Sequence, residues 1–124
     1  MRHKPDSYPD LSPYLLVDDV EASVVWLESA FGASRLRMMP GPDGQVTHGE
    51  ARIGDGVVML GRAPGSPAAM VHLYLPDPDA ALARALDAGG TLLQEMAESG
   101  DGDRRGGVAA PDGTQWYLAR QVED

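Results

Sequence analysis

A strand followed by a helix occurs twice in this chain, and that repetition constrains the fold more than any other feature. The first copy joins an apolar stretch, residues 15–17, to a helical pattern that ends at Gly32. The second joins residues 73–75 to a helical pattern that ends at Gly89. The helix starts recur 58 residues apart, where Asp19, Glu21 and Ala22 match Asp77, Asp79 and Ala80. Two similar halves are therefore predicted.

Capping residues and apolar spacing predict the limits of both helices. Asp18, with Glu21 three residues later, has the spacing of a capping box, so the first helix is predicted to begin at Asp18 or Asp19. Asp77 followed by Pro78 provides the cap and first residue of the second helix. Apolar residues then recur at the helical period: Val20, Val24, Leu27 and Phe31 in the first helix, and Leu82 and Leu86 in the second. Each helix is therefore expected to pack one side on a sheet.

Alternating apolar residues and turn signals predict four strands in each half. In the first half the predicted strands are residues 11–17, 35–39, 46–53 and 57–60. In the second half they are residues 70–75, 91–95, 107–109 and 114–119, and residues 99–105 are predicted to be a polar, mobile loop.

These elements predict an α+β fold in one domain, residues 1–124, built from two βαβββ repeats. Repeat one spans about 11–61, a linker covers 62–68, and repeat two spans about 69–120. The helices are expected to cover one face of an eight-stranded curved sheet, whose other face would surround a cavity. Residues 1–10 are polar, carry two prolines, and are expected to form an arm outside the core.

Composition and charge argue against several kinds of partner. The net charge is −9, with 10 basic residues against 19 acidic ones, which disfavours binding to a nucleic-acid backbone. No run approaches the roughly 20 apolar residues that span a bilayer, and no secretion signal opens the sequence. The absence of cysteine fits a reducing cytoplasm. We therefore expect a cytoplasmic protein without nucleic-acid or membrane partners, whose acidic surface tolerates cationic ligands.

Motifs along almost the whole chain resemble those of the vicinal-oxygen-chelate superfamily, which includes glyoxalase I, extradiol dioxygenases and bleomycin-resistance proteins. They are the two helix starts, residues 37–60 (RMMPGPDGQVTHGEARIGDGVVML), Gly102-Asp103-Arg104, and the segment PDGTQWYLA. The chain is most similar to the small bacterial glyoxalase and bleomycin-resistance branch. The resemblance implies the same doubled fold around a cavity.

The resemblance also implies four positions for metal ligands. In the metalloenzymes of the superfamily, each of four strands donates a His, Glu or Gln to a divalent ion. The corresponding positions here are Ser12, Met59 (or Leu60), Met70 and Tyr117. These residues do not provide the three protein donors that usually hold such an ion. No metal cofactor is therefore expected, with a divalent metal ion as the alternative.

Polar residues on two strands are candidates for chemistry. His72 and Tyr74 share a strand face that, by the family arrangement, lines the cavity, where His72 is either a general base or a hydrogen-bonded pocket residue. His48, Glu50 and Arg52 also share one face. In one interpretation Glu50 orients His48 at the cavity rim; in the other, which we favour, the three form the solvated face of an edge hairpin. His72 and Glu50 are the catalytic candidates.

Aromatic and sulfur side chains indicate what a cavity could hold. Trp26 lies off the apolar stripe of its helix, so we expect it to be half exposed and able to stack on a ligand or a second subunit. Trp116 is expected in the core. Arg104 either clamps a ligand carboxylate or pairs with an acidic residue of the chain. The predicted ligand-binding residues are Tyr14, Trp26, His48, Met59, Met70, His72, Tyr74, Arg104 and Tyr117.

Two functions that involve a small ligand are consistent with these residues, and a third possibility is a protein with no ligand that only pairs with other proteins. The one we favour is a metal-free homodimer that binds and sequesters a small aromatic or amphipathic molecule, antibiotic-like and including cationic compounds. The alternative is a glyoxalase-like lyase or isomerase, or a dioxygenase, with an atypical metal site. A fold by itself does not select a function, so the choice depends on the residues of the site. The missing metal ligands favour the binding protein.

Overall fold

The computed structural model describes residues 3–122 and confirms the two βαβββ halves. The first half consists of β1 (Tyr14–Val17), α1 (Val20–Phe31), β2 (Ser34–Pro40), β3 (Val46–Ile53) and β4 (Gly56–Arg62). The second consists of β5 (Met70–Tyr74), α2 (Pro78–Asp87), β6 (Thr91–Glu98), β7 (Asp103–Ala109) and β8 (Gln115–Gln121).

The eight strands form two four-stranded sheets with the same topology. Sheet A has the order β1-β4-β3-β2, and sheet B has the order β5-β8-β7-β6. The first strand of each half runs parallel to its neighbour, while the other pairs are antiparallel. The predicted α+β class is thus confirmed. The eight predicted strands are divided into two four-stranded sheets, one in each half.

Local backbone chemistry sets the helix ends. Asp19 caps α1, since its carboxylate accepts the backbone N–H of Ala22 at 3.0 Å. The prediction of a cap at Asp18 is wrong, because that side chain accepts the N–H of Gly65 in the linker instead. Asp77 caps α2 as predicted. Gly32 ends α1 with φ 67°, a left-handed conformation that glycine adopts without strain.

Several predicted strand limits are wrong, two of them by several residues at the start of a strand. β1 begins at Tyr14 rather than at residue 11, and residue 13 is a proline, which has no N–H to donate to a sheet. The predicted mobile loop 99–105 is shorter, because β7 begins at Asp103 and pairs with the end of β8. Arg104 and Arg105 are therefore strand residues, and their side chains lie on opposite faces of sheet B.

Both helices and one face of each sheet pack into a single core. Trp116 of β8 is 1% exposed and contacts two aromatic rings of α1, with centroid distances of 5.1 Å to Phe31 and 6.5 Å to Trp26. The predicted burial of Trp116 is confirmed. The prediction of a half-exposed Trp26 is wrong, since it is only 4% exposed. α1 packs against α2 as well as sheet A, so more than one stripe of the helix is covered.

The other face of each sheet is open, and this determines where a ligand can bind. Large apolar side chains are exposed there: Tyr14 (52%) and Leu16 (48%) on β1, and Met70 (68%) and Tyr74 (61%) on β5. Because the opposite faces share one core, these two open faces are directed away from it. Within residues 3–122, neither helix has the length and apolarity needed to cross a bilayer.

Candidate functional site

A chain of four hydrogen-bonded side chains lies on the open face of sheet A. The Tyr14 hydroxyl lies 3.0 Å from His48 Nδ1, and His48 Nε2 lies 2.8 Å from Glu50 Oε2. The other carboxylate oxygen of Glu50 accepts the hydroxyl of Tyr8. Since the carboxylate is an acceptor, this network assigns the proton of neutral His48 to Nε2 and leaves Nδ1 to accept from Tyr14.

Strand order and the N-terminal arm together explain why Glu50 is buried. β3 is an interior strand, where Glu50 lies beside Met59 of β4, and Met59 lies beside Tyr14 of β1. Glu50 is only 4% exposed. The favoured interpretation, a solvated face of an edge hairpin, is therefore wrong. The structure instead has the alternative geometry, in which Glu50 contacts and orients His48.

The N-terminal arm supplies a residue that the sequence interpretation missed. Tyr8 reaches Glu50 from the arm, and the Ser7 carbonyl beside it accepts Arg52 Nη2 at 2.6 Å. A cavity of about 270 Å³ lies between the arm and the sheet, next to Arg37 and Met59. The available sequence signal was an aromatic residue between two prolines in a polar segment, which indicates a rigid segment but not its target.

Opposing effects act on the Glu50 carboxyl. Burial raises its pKa, but the hydrogen bonds from His48 and Tyr8 and the nearby charge of Arg37 outweigh that effect and hold the pKa below its ordinary value of 4.5. Glu50 also raises the pKa of the Tyr8 phenol, mainly through the hydrogen bond between them. Both shifts keep the proton on Tyr8, so Glu50 is a charged acceptor and a weak base.

Replacing Tyr8 by phenylalanine is expected to raise the pKa of Glu50 toward 4.5. The change removes one donor to the charged carboxylate and keeps the ring. A lowered native pKa stabilises the fold above the unfolded-state pKa, and this contribution is lost as pH falls through the native value. The variant should therefore show a smaller loss of stability below pH 4.5. A ¹³C NMR titration of the carboxyl measures the shift; an unchanged Glu50 pKa would contradict the hydrogen bond.

A second cluster, centred on Arg105, lies on the open face of sheet B. The guanidinium donates to Asp103 Oδ2 at 2.7 Å, Asp101 Oδ2 at 3.0 Å and His72 Nε2 at 3.1 Å. Tyr74 donates to the same Asp103 oxygen at 2.8 Å. Hydrogen bonds from Ser99, which has the larger effect, and from Arg105 lower the pKa of Asp101 to about 2. The cluster therefore joins β5 to β7 across β8 and to the turn before β7.

This arrangement bears on the proposed role of His72 as a base. Its Nε2 lone pair accepts the Nε–H of Arg105, so that lone pair already has a partner within the chain. The His72 ring packs edge-on against Tyr74, with centroids 4.8 Å apart. His72 therefore has the geometry of the alternative interpretation, a hydrogen-bonded pocket residue.

The two adjacent arginines lie on opposite faces of sheet B and have different partners. Arg104 forms a two-bond ion pair with Asp79 at the start of α2, at 2.8 and 2.9 Å, on the helix side of the sheet. This is the pairing with an acidic residue that the sequence left open. Arg105 is the arginine on the open face, and the sequence analysis missed it. Strand alternation from Asp103 would have found it, had β7 been predicted to begin there.

The remaining predicted ligand-binding residues are split between the two faces. Met59 lies on sheet A with Tyr14 and His48. Met70 and Tyr117 lie on sheet B with His72 and Tyr74. Trp26 belongs to the core and Arg104 to the helix side, so neither lies on an open face.

The four positions that hold a divalent ion in metalloenzyme relatives do not fit one here. Two carry thioethers, Met59 and Met70, and the others carry the hydroxyls of Ser12 and Tyr117. Hard divalent ions prefer carboxylate, carbonyl and imidazole donors. Residues 3–122 also contain no group of three His, Asp or Glu side chains arranged to hold a metal ion.

The fold defines a class of α+β proteins that are built from two βαβββ units with open sheet faces. Comparison with known proteins identifies the family. Residues 11–118 match the Glyoxalase/Bleomycin resistance protein/Dioxygenase superfamily. The chain belongs to this superfamily, which confirms the resemblance seen in its motifs.

Individual relatives agree with this assignment. The uncharacterized protein Mb0911c of Mycobacterium bovis is 35% identical over 130 residues, covering 94% of this chain and 86% of its own. The crystal structure of TioX from Micromonospora sp. ML1 superposes with a TM-score of 0.78 at 25% identity, covering 91% of this chain and 98% of TioX. A glyoxalase-related enzyme from Fulvimarina pelagi, 23% identical with a TM-score of 0.67 and covering 91% and 88%, shares the fold.

Proposed function

We propose that this chain is a metal-free, homodimeric cytoplasmic protein that binds and sequesters a small aromatic or amphipathic molecule. The observation that carries the proposal is common to both open faces. Each exposes large apolar or aromatic side chains, while its buried or half-buried polar groups are hydrogen-bonded to one another. Such a surface gains free energy by covering apolar area and has few polar groups that need a new partner.

The polar groups support binding rather than turnover. Glu50 is held as a carboxylate by two donors, and its lowered pKa makes it a poor proton acceptor. The Nε2 atom of His72 is occupied by Arg105. A general base needs a free lone pair and a pKa near the working pH. Neither catalytic candidate meets both requirements, so equilibrium affinity explains the site better than proton transfer.

The charges on the two faces support association of two copies. On sheet A, Arg37 and Arg52 lie near the buried Glu50. On sheet B, Asp101 and Asp103 flank a single guanidinium. Face A of one copy is therefore complementary to face B of another, and a two-fold axis would repeat that pairing. This pairing would create two ligand cavities between the copies. Light scattering after size-exclusion chromatography tests the expected dimer.

Fluorescence titration with 1-aminoanthracene (neutral) and acridine orange (cationic) tests the binding function and the charge preference. We expect saturable binding and a higher Tm with at least one dye, but no rise in Tm with Mn²⁺, Ni²⁺ or Zn²⁺.

Tyr14→Ala and Tyr74→Ala should each weaken dye binding by roughly 3- to 10-fold, the range for an aromatic contact. Val25→Ala, at an exposed position of α1, is the matched control. A Tm that rises with a divalent ion and with neither dye would instead indicate the metalloenzyme.

A further inference from the structure

We propose that Tyr8 is an internal occupant of the ligand site on sheet A, and that this site binds hydroxyaromatic molecules. The hydroxyl of such a ligand would donate to Glu50 in the place of Tyr8, and its ring would replace the tyrosine ring beside Met59. The inference rests on the proposed function, because it names the class of ligand for one of the two open faces.

The position of Glu50 requires a donor. The carboxylate is 4% exposed, and one of its oxygens is bonded to His48 while the other faces Tyr8. If Tyr8 moved away, this charged oxygen would lose its donor and be open to water. A molecule that covered the site in place of the arm would have to supply a donor, because a charged oxygen buried without one is costly. A phenolic hydroxyl restores that bond, whereas an ether or an unsubstituted ring has no proton to donate.

The arm is held loosely enough to be displaced. Pro5, Ser7 and Asp10 of the arm are exposed, and Leu11, which directly follows it, retains 86% of its accessible surface. Contacts such as Lys4 to Asp10, at 2.8 Å, lie within the arm and would survive its movement. Segments with little buried apolar area open at low free-energy cost. The Tyr8–Glu50 bond and the contact from Arg52 to Ser7 are contacts that tie the arm to the sheet.

The space around Tyr8 suits an aromatic ring. The cavity of about 270 Å³ next to it is bounded by Met59 of the sheet and by Pro5 and Pro9 of the arm. A thioether adapts to the edge of a ring, and proline rings present flat apolar surfaces. Arg37 lies at the same cavity and provides a cation for a ring face or a second oxygen. Met59 and Arg37 belong to the sheet and stay in place when the arm moves, so the pocket combines one fixed acceptor, Glu50, with a fixed apolar wall and a cation.

The test compares 2-naphthol with 2-methoxynaphthalene, a matched pair that differs in the hydroxyl proton. Fluorescence titrations use the full chain as wild type, Tyr8→Phe and Tyr8→Ala. We expect 2-naphthol to bind Tyr8→Ala at least about tenfold more tightly than wild type, with Tyr8→Phe between them. In Tyr8→Ala the phenol should be preferred over its ether by on the order of 10- to 100-fold, the range for a hydrogen bond to a charged group.

Two controls separate the outcomes. Leu11→Ala changes an exposed residue directly after the arm and should leave both affinities at the wild-type values. Adding Glu50→Gln to Tyr8→Ala should reduce the preference for the phenol, provided that circular dichroism shows a folded protein. Equal affinity of 2-naphthol for wild type and Tyr8→Ala, or equal binding of the ether and the phenol to Tyr8→Ala, would overturn the inference. In that case, binding of 1-aminoanthracene that depends on Tyr74 would leave the proposed binding function intact. If 1-aminoanthracene did not bind either, both the proposed function and the inference about Tyr8 would be wrong.

Discussion

Replacing Trp116 by alanine is expected to destabilise the protein by about 3–5 kcal/mol, the range measured when a large buried aromatic side chain is truncated. Trp116 is 1% exposed and packs against both Trp26 and Phe31. It belongs to sheet B, whereas its two aromatic neighbours belong to α1. Its loss therefore leaves a cavity where the two halves join.

Urea unfolding followed by circular dichroism measures this effect. A typical domain has a total stability of roughly 5–15 kcal/mol, so the variant is expected to be partly unfolded at 37 °C or at low urea concentration. Val25→Ala, at a position that is 47% exposed, should change stability by no more than about 0.5 kcal/mol. A loss below about 1 kcal/mol for Trp116→Ala would show that the two halves do not depend on this contact.

Replacing Arg105 by alanine should destabilise the protein by about 2–4 kcal/mol, because it leaves a nearly buried carboxylate with one donor. The Arg105 side chain is 20% exposed and that of Asp103 is 10% exposed. After the substitution, the Tyr74 hydroxyl is the side-chain donor left to Asp103 in the Arg105 cluster. The pKa of Asp101 should also rise from about 2, since Arg105 is one of the groups that lower it.

The adjacent arginine provides the matched control. Arg104 makes an equally short ion pair with Asp79, but these side chains are 36% and 52% exposed. Arg104→Ala should therefore cost less than about 1 kcal/mol. Chemical unfolding and an NMR titration of Asp101 test both substitutions. Equal losses of stability for the two variants would contradict the prediction, because the more buried Arg105 cluster would then contribute no more stability than the exposed Arg104–Asp79 pair.

Local patterns predicted much of this structure. The spacing of Asp19 and Asp77 predicted two homologous helix starts, and alternation placed His48 and Glu50 on one face of a strand. Such features depend on residues within a few positions of one another. A helix has a period of 3.6 residues and a strand a period of two, so both can be read without knowledge of the fold.

The residues that the sequence analysis missed were missed for one physical reason, which is that their contacts are distant in sequence. Tyr8 and Glu50 lie 42 residues apart, and Arg105 and His72 lie 33 apart. No local period relates such pairs. The burial of Trp26 depends on α2 as well as on sheet A, and the choice between Arg104 and Arg105 depends on where β7 begins.

By itself, then, the sequence determined the repeated unit, the starts of its helices to within one residue and the faces of its strands, because local backbone and side-chain chemistry specifies them. The tertiary structure alone decided which side chains meet on those faces. It buried Glu50 under the arm, turned Arg104 toward α2 and left Arg105 among the acids of sheet B. The reason is that hydrogen-bond partners and burial depend on strand order and helix packing, which bring distant parts of the chain together.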